Sequence, residues 1–144
     1  MISVDTDILL NSQNADCPEN PAALNFLQQL SGREDVPICE LVLVELYILL
    51  RNPAVLSSPL SAGEAVNICQ GFRSNPRWRL VENVPIMDKV WEVAANAGFA
   101  RRKIIDLRLA RTLQHHGMTR FATANLKDFR DLGFHEVWNP LLPS

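Results

Sequence analysis

Four acidic side chains fall where predicted strands and helices meet. They are Asp5 after the first strand, Glu45 inside the helix after the second, Asp106 at the start of the helix before the fourth, and Asp128 just beyond that strand. Such boundaries converge on one edge of a doubly wound parallel sheet. We therefore expect the four carboxylates to meet in a common pocket.

Carboxylates that are held close together repel each other and raise each other's pKa. A divalent cation removes that penalty, and an all-oxygen ligand set without a cysteine or histidine pair favours Mg²⁺ or Mn²⁺ over Zn²⁺. One or two such ions activate a water and neutralise charge on a phosphate during in-line displacement. The chemistry that these residues indicate is cleavage of a phosphodiester bond.

Two of the acids also have plainer interpretations. Asp5 follows a short apolar run typical of a buried strand, and it can serve simply as a cap for the helix that comes next. Glu45 lies in a helix that is apolar on nearly all sides, which predicts burial. A glutamate there is seldom without a partner, so it either pairs with Arg51 or Arg108 or faces the other acids.

The elements that position these acids alternate along the chain. Short apolar runs predict strands over 2–4, 36–39, 78–81, 120–123 and 137–138, and helical periodicity predicts helices over 21–30, 40–50, 62–72, 85–98 and 106–116. Strands that alternate with helices indicate a mostly parallel sheet covered by helices on both faces. We expect an α/β fold with about five strands in one domain, 1–144.

Composition excludes several classes of protein. The chain is 47% hydrophobic and 21% charged, so it can bury a core. Its net charge of −2 gives no general preference for nucleic acid, and any such binding must come from local clusters of cations. No apolar run is long enough to span a membrane, and no signal peptide is predicted. Three widely spaced cysteines predict free thiols in the cytoplasm and no zinc site.

Four segments of the sequence resemble the four motifs of PIN domains, in the same order. They are residues 4–10, 43–47, 105–110 and 122–129, and Asn139-Pro140 fits the end of the pattern. In a chain of this size they are similar to the VapC-type toxins of bacterial toxin–antitoxin pairs. The resemblance implies a PIN-like three-layer fold and a Mg²⁺-dependent (or Mn²⁺-dependent) endoribonuclease. It also implies a cytoplasmic homodimer that a small antitoxin holds inactive.

The resemblance also assigns roles to the acids. Carried over by position, Asp5, Glu45 and Asp106 are the three acids of the active site, and Asp5 and Asp106 are the expected direct metal ligands. In many relatives a fourth acid stands at the position of Asn125, and Asp128, three residues on, is expected to compensate. Whether the site holds one ion or two stays open.

Thr123 ends the fourth predicted strand, next to these acids. We expect its hydroxyl to bond to Asp5 or to a water in the metal site, and the alternative is an ordinary hydroxyl at a strand end.

Five cations surround the start of the helix that carries Asp106. We expect this cluster to grip RNA phosphates beside the metal, and the alternative is a solvated helix face. Its members are Arg101, Arg102, Lys103, Arg108 and Arg111.

The antitoxin is expected to lay an apolar helix into a groove between helices of the toxin. Candidates for lining that groove are Leu46, Tyr47 and Leu50.

Two other functions compete with the nuclease. In a haloacid-dehalogenase-type phosphatase, Asp5 is the nucleophile and Asp7 the acid, although the paired acids that follow a later strand in that family are missing here. The other alternative is a PIN-like module that binds RNA or a partner without cleaving, which the neutral Asn125 favours. Cleavage that needs a divalent metal and Asp5 separates the nuclease from both.

Overall fold

A computed structural model describes residues 1–81, 86–100 and 103–143. The strands in these ranges are β1 (Ile2–Val4), β2 (Pro37–Cys39), β3 (Arg79–Val81), β4 (Arg120–Ala122) and β5 (Glu136–Trp138). The helices are α1 (Thr6–Gln13), α2 (Asn20–Leu30), α3 (Glu40–Leu50), α4 (Ala62–Arg73), α5 (Met87–Ala94), α6 (Lys103–His115) and α7 (Leu126–Phe129). The predicted α/β class is confirmed.

All strand pairs in the described residues are parallel, but they form two sheets. β4 lies between β1 and β5, with Val4 opposite Ala122, and β2 pairs with β3. The prediction of one continuous sheet of about five strands was wrong in this respect, since the larger sheet has three. Contact between β1 and β2 runs through Ile2 N donating to Asp35 O at 2.9 Å and Ser3 Oγ donating to Pro37 O at 2.9 Å. Pro37 has no N–H to donate, so a regular ladder cannot form there.

The strands and the inward faces of the helices form the core. Val4, Ile38 and Phe121 are almost fully buried, and α3 buries Val42, Leu43, Leu46 and Leu50. The expectation that α3 is buried on nearly all sides was wrong. Val44 is 51% exposed and Ile48 is 58% exposed, so α3 also presents an apolar face to solvent.

Capping and helix-breaking residues in the sequence predicted most helix ends to within a few residues. Ser61 and Glu64 form the predicted capping box at the start of α4, with bonds of 3.1 and 3.2 Å. α6 starts three residues before Asp106, and the one-turn helix α7 has no counterpart among the predicted elements. No helix within the described ranges is long and apolar enough to cross a membrane.

Candidate active site

Asp5 joins the end of β1 to the start of α1. Its Oδ1 accepts from Thr6 N at 2.7 Å, and its Oδ2 accepts from the Thr123 hydroxyl at 2.8 Å. Its own amide donates to Ala122 O at 3.0 Å, so β4 fixes the backbone. Asp5 therefore caps the helix with one oxygen and faces the end of β4 with the other, and the two interpretations of this residue are compatible.

Asp5 is costly to ionise in the folded chain. Only 7% of the residue is exposed, and burial raises the pKa of its carboxyl to about 8, helped by the negative charges of Asp7 and then Glu45. The hydrogen bonds from Thr123 and Thr6 oppose that rise without cancelling it. A carboxylate in this position needs a compensating positive charge to be ionised at neutral pH.

Glu45 faces the acids and not a cation. Its Oε2 accepts from the Thr6 hydroxyl at 2.9 Å, which ties α3 to the first residue of α1. Arg51 instead donates to the phenol oxygen of Tyr47 at 2.8 Å. Within the described part of the chain, no ion pair joins Glu45 to Arg51 or Arg108, so the alternative pairing is wrong.

Asp106 lies in the first turn of α6, near two other acids. Burial raises the pKa of its carboxyl to about 6, and the charges of Asp128 and then Glu45 contribute to that rise, while Lys103 opposes them. Glu45 thus repels both Asp5 and Asp106. These repulsions connect Asp5 to Glu45, Glu45 to Asp106 and Asp106 to Asp128.

The Asn125 side chain makes a hydrogen bond to Asp128. Its side-chain Nδ2 donates to Asp128 Oδ2 at 2.6 Å, and its backbone N–H donates to the Thr123 hydroxyl oxygen at 2.9 Å. Thr123 is fully buried, and its hydroxyl bonds directly to Asp5. The expectation of a bond to Asp5 is confirmed. The segment after β4 therefore orients two carboxylates at once.

Asp7 also belongs to this cluster, and the sequence reasoning gave it no part in the nuclease site. Its Oδ2 accepts from Ala124 N at 3.0 Å and lies 3.2 Å from the Thr123 hydroxyl. Its Oδ1 is buried without a hydrogen-bond partner among the described residues, and burial raises the pKa of the carboxyl. The signal was its spacing of two residues from Asp5, at the start of a helix whose first turn must face the same edge.

Two of the three described members of the predicted cationic cluster make other contacts. Lys103 Nζ pairs with Asp131 at 2.7 Å, and Arg111 donates to Leu132 O at 2.7 Å, which makes it structural. Arg108 is half-buried, and its guanidinium has no hydrogen bond or ion pair among the described residues. Its charge lowers the pKa of the Cys39 thiol against a larger effect of burial. Arg101 and Arg102 lie outside the described residues.

The described residues contain no group of three or more acids, histidines or cysteines arranged to hold one metal ion. The acids that cluster here supply only oxygen ligands, and no ion pair within the described residues joins Asp5 or Asp106 to a cation. Mg²⁺ is commonly bound through one or two carboxylates with waters completing its shell. The chemistry of these donors suits a divalent ion that is held by one or two carboxylates and completed by waters.

Comparison with known proteins identifies the family. A model of the PIN domain matches residues 2–135. The chain is 55% identical to Ribonuclease VapC24 of Mycobacterium tuberculosis over 141 residues, in strains CDC 1551 / Oshkosh and ATCC 25618 / H37Rv, covering 98% of this chain and 97% of the relative. PIN-domain ribonucleases generally depend on a divalent metal. The match to this family rules out the haloacid-dehalogenase-type phosphatase.

Solved structures share the fold at low sequence identity. VapC20 of M. tuberculosis, a toxin that cleaves the sarcin–ricin loop, superposes with a TM-score of 0.70 at 18% identity, covering 93% of this chain and 96% of that one. FitAB bound to a DNA fragment gives 0.68 at 18% identity, covering 100% and 98%. FitAcB from Neisseria gonorrhoeae gives 0.67 at 21% identity, covering 97% and 98%. The resemblance noted in the motifs is confirmed, and the chain belongs to the PIN-domain family.

Proposed function

We propose that the chain is a VapC-type endoribonuclease that depends on Mg²⁺ or Mn²⁺ and acts as the toxin of a toxin–antitoxin pair. The observation that carries the proposal is the buried Asp5 carboxyl, which Thr123 holds at the end of β4 and next to which Thr6 holds Glu45. The 55% identity to a ribonuclease over nearly the whole chain supports the same activity. We further propose that residues 1–144 form a single PIN domain that works in the cytoplasm.

Asp5 and Asp106 are the proposed direct ligands of the ion. Burial is the main cause that raises the pKa of both carboxyls, and a bound cation would offset the cost of ionising them. Glu45 and Asp128 act on the ion through waters. When bound, the ion stabilises negative charge on the phosphodiester and activates a water for attack.

The remaining side chains hold these carboxylates in place. Thr123 directs Asp5, Thr6 directs Glu45, and Asn125 directs Asp128. Asp128 is therefore the proposed fourth acid, with Asn125 as the residue that orients it. Hydrogen bonds of this kind fix which lone pairs a carboxylate turns towards an ion.

Arg108 is the proposed phosphate contact among the described cations. It lies two residues from Asp106, and its guanidinium has no hydrogen-bond or ion-pair partner within the described ranges. Arg101 and Arg102 are proposed to extend the same contact along the RNA. Lys103 and Arg111 drop out of that set, because Asp131 and Leu132 O hold them.

The proposed antitoxin site is the groove between α3 and α4. It has a volume of ≈ 400 Å³, and its apolar lining includes Leu43, Val44, Tyr47 and Val66. The expectation that Leu46 and Leu50 line it was wrong, since both are fully buried in the core. An amphipathic helix is the occupant that such a groove suits.

Cleavage of RNA by the purified chain tests the activity. We expect cleavage with Mg²⁺ or Mn²⁺ and none in EDTA, and we expect Asp5→Asn to lower kcat by more than about 100-fold, since it removes a ligand charge. The fold should survive, because the new amide can donate to the Thr123 oxygen, whose proton then turns to Asp7 Oδ2, 3.2 Å away.

The matched control is Asp16→Asn, which removes the same charge from an exposed residue and keeps an acceptor for the Ser57 hydroxyl. It should cleave like the wild type. Cleavage that persists in EDTA, or in Asp5→Asn, would refute metal-dependent catalysis at this site. Binding of RNA without any cleavage would favour the non-cleaving alternative.

A further inference from the structure

Asp7 connects two parts of the chain that are 117 residues apart in sequence. From the first turn of α1, its Oδ2 accepts the backbone N–H of Ala124 at 3.0 Å, in the segment between β4 and α7. That segment has no strand or helix geometry of its own. The bond to Asp7 is thus a direct tie that holds it against α1.

The Thr123 hydroxyl cannot replace this tie. A hydroxyl carries one proton, and the shorter of its two carboxylate contacts is the 2.8 Å bond to Asp5 Oδ2, against 3.2 Å to Asp7 Oδ2. The Thr123 oxygen meanwhile accepts from Asn125 N at 2.9 Å. The Ala124 amide is therefore the closer of the two donors to Asp7 Oδ2.

The tie has an evident cost. Among the described residues, Asp7 Oδ1 is buried without a partner, and the carboxylate adds a negative charge beside Asp5. A buried polar atom without a hydrogen bond normally destabilises a fold, so its presence at this position calls for a role. The segment that Asp7 holds carries Thr123 and Asn125, the side chains that orient Asp5 and Asp128.

We propose that Asp7 is a positioning residue of the ribonuclease: its bond to the Ala124 amide holds residues 123–125 so that Thr123 and Asn125 keep Asp5 and Asp128 in place. This inference rests on the proposed function. The role belongs to the acceptor oxygen of Asp7 and not to its charge. An amide side chain at the same position therefore performs it, whereas a methyl group does not.

The test compares Asp7→Ala with Asp7→Asn in the full chain. Amide hydrogen exchange at residue 124 should quicken in Asp7→Ala and stay near the wild-type rate in Asp7→Asn. With an RNA substrate and Mg²⁺, kcat should fall about 10–100-fold in Asp7→Ala, since displaced catalytic groups have effects of this size, while KM stays within about threefold. Asp7→Asn should restore kcat to within about threefold of the wild type.

Three results would overturn the proposal. They are unchanged exchange at residue 124 in Asp7→Ala, an Asp7→Asn variant as impaired as Asp7→Ala, and a loss in Asp7→Ala that lies in KM alone. If Asp7→Ala does not fold, exchange at residue 124 in Asp7→Asn decides: a wild-type rate supports the proposal and a fast rate overturns it. A wild-type chain that cleaves no RNA would count against the proposed function, while the exchange rates would still decide whether Asp7 holds the segment.

Discussion

At the scale of single residues, the site is a set of carboxylates that other side chains orient but do not neutralise. Thr6, Thr123 and Asn125 each donate to a different acid, and none of them carries a charge. Burial therefore raises the pKa values of Asp5 and Asp106. The stability of the metal-free chain should therefore depend on pH.

In EDTA, the free energy of unfolding should fall as pH rises from about 4 to about 8. The folded pKa of Asp5 is about 8 and that of Asp106 about 6, against an ordinary value of 3.8. In this window the folded chain keeps protons that the unfolded chain has released, so raising the pH favours unfolding. We expect a loss of more than about 1.4 kcal/mol, the equivalent of one pKa unit.

Urea unfolding at a series of pH values measures this loss, with two variants that divide the window. Asp5→Asn should flatten the profile across the whole window from about pH 4 to about pH 8, whereas Asp106→Asn should flatten it only below about pH 6. If the Asp5→Asn profile runs parallel to that of the wild type, the carboxyl of Asp5 titrates with an ordinary pKa. Burial would then not oppose its ionisation.

The acids of the site were predictable from sequence because each stands next to a recognisable element. Asp5 follows a short apolar strand, and Glu45 interrupts an apolar helix. The bond from Thr123 to Asp5 was among the expectations, but the partner of Glu45 was not, because the Thr6–Glu45 bond depends on how distant parts of the chain pack together. For the same reason Asp7 was overlooked: only the folded chain shows which segment its second carboxylate oxygen reaches.

At the scale of elements, α3 has a buried side and an exposed apolar side that its sequence does not separate. Leucine, valine and isoleucine occur on all sides of it, and this pattern predicts a fully buried helix. The structure buries one side and exposes Val44 and Ile48. The periodicity of apolar residues cannot distinguish those that pack against the core from those that are exposed on the surface, because both are apolar.

Alanine substitutions on the two sides of α3 should differ in their effect on stability. Leu46→Ala removes a fully buried side chain and should lower the free energy of unfolding by about 2–5 kcal/mol. Ile48→Ala removes one that is 58% exposed and should change it by less than about 1 kcal/mol. Urea unfolding measures both, and equal losses would mean that α3 is buried on both sides after all.

The exposed side should instead matter for binding. Val44→Lys puts a charge into the α3–α4 groove and should weaken binding of the cognate antitoxin by at least about tenfold, while RNA cleavage by the free chain is unchanged. The control Leu24→Lys alters a side chain of similar exposure, 50%, on α2. Isothermal titration with the antitoxin measures both, and equal affinities for the two variants would place the antitoxin elsewhere.

At the scale of the whole molecule, the topology brings together acids from distant parts of the chain. Parallel pairing of β1 with β4 places the ends of both strands side by side, so that Asp5 meets the segment of Thr123 and Asn125. The α/β class was predictable from the alternation of elements, and the order of the motifs from the resemblance to PIN domains. The division into two sheets was not, because it depends on Pro37 opposite β1 and on how far each ladder extends.

A homodimer stays a prediction from the resemblance. Trp91 and Ile105, on α5 and α6, are 56% and 47% exposed, so apolar surface remains outside the α3–α4 groove.

The most direct test of the metal centre is a crystal of the chain soaked in Mn²⁺ and measured at the manganese absorption edge. We expect an anomalous peak within ligand distance of the Asp5 and Asp106 carboxylates, with Glu45 and Asp128 around it, and no such peak in Asp5→Asn. A wild-type crystal without a peak at these acids, or with manganese bound only elsewhere, would contradict the claim that this cluster is a metal centre.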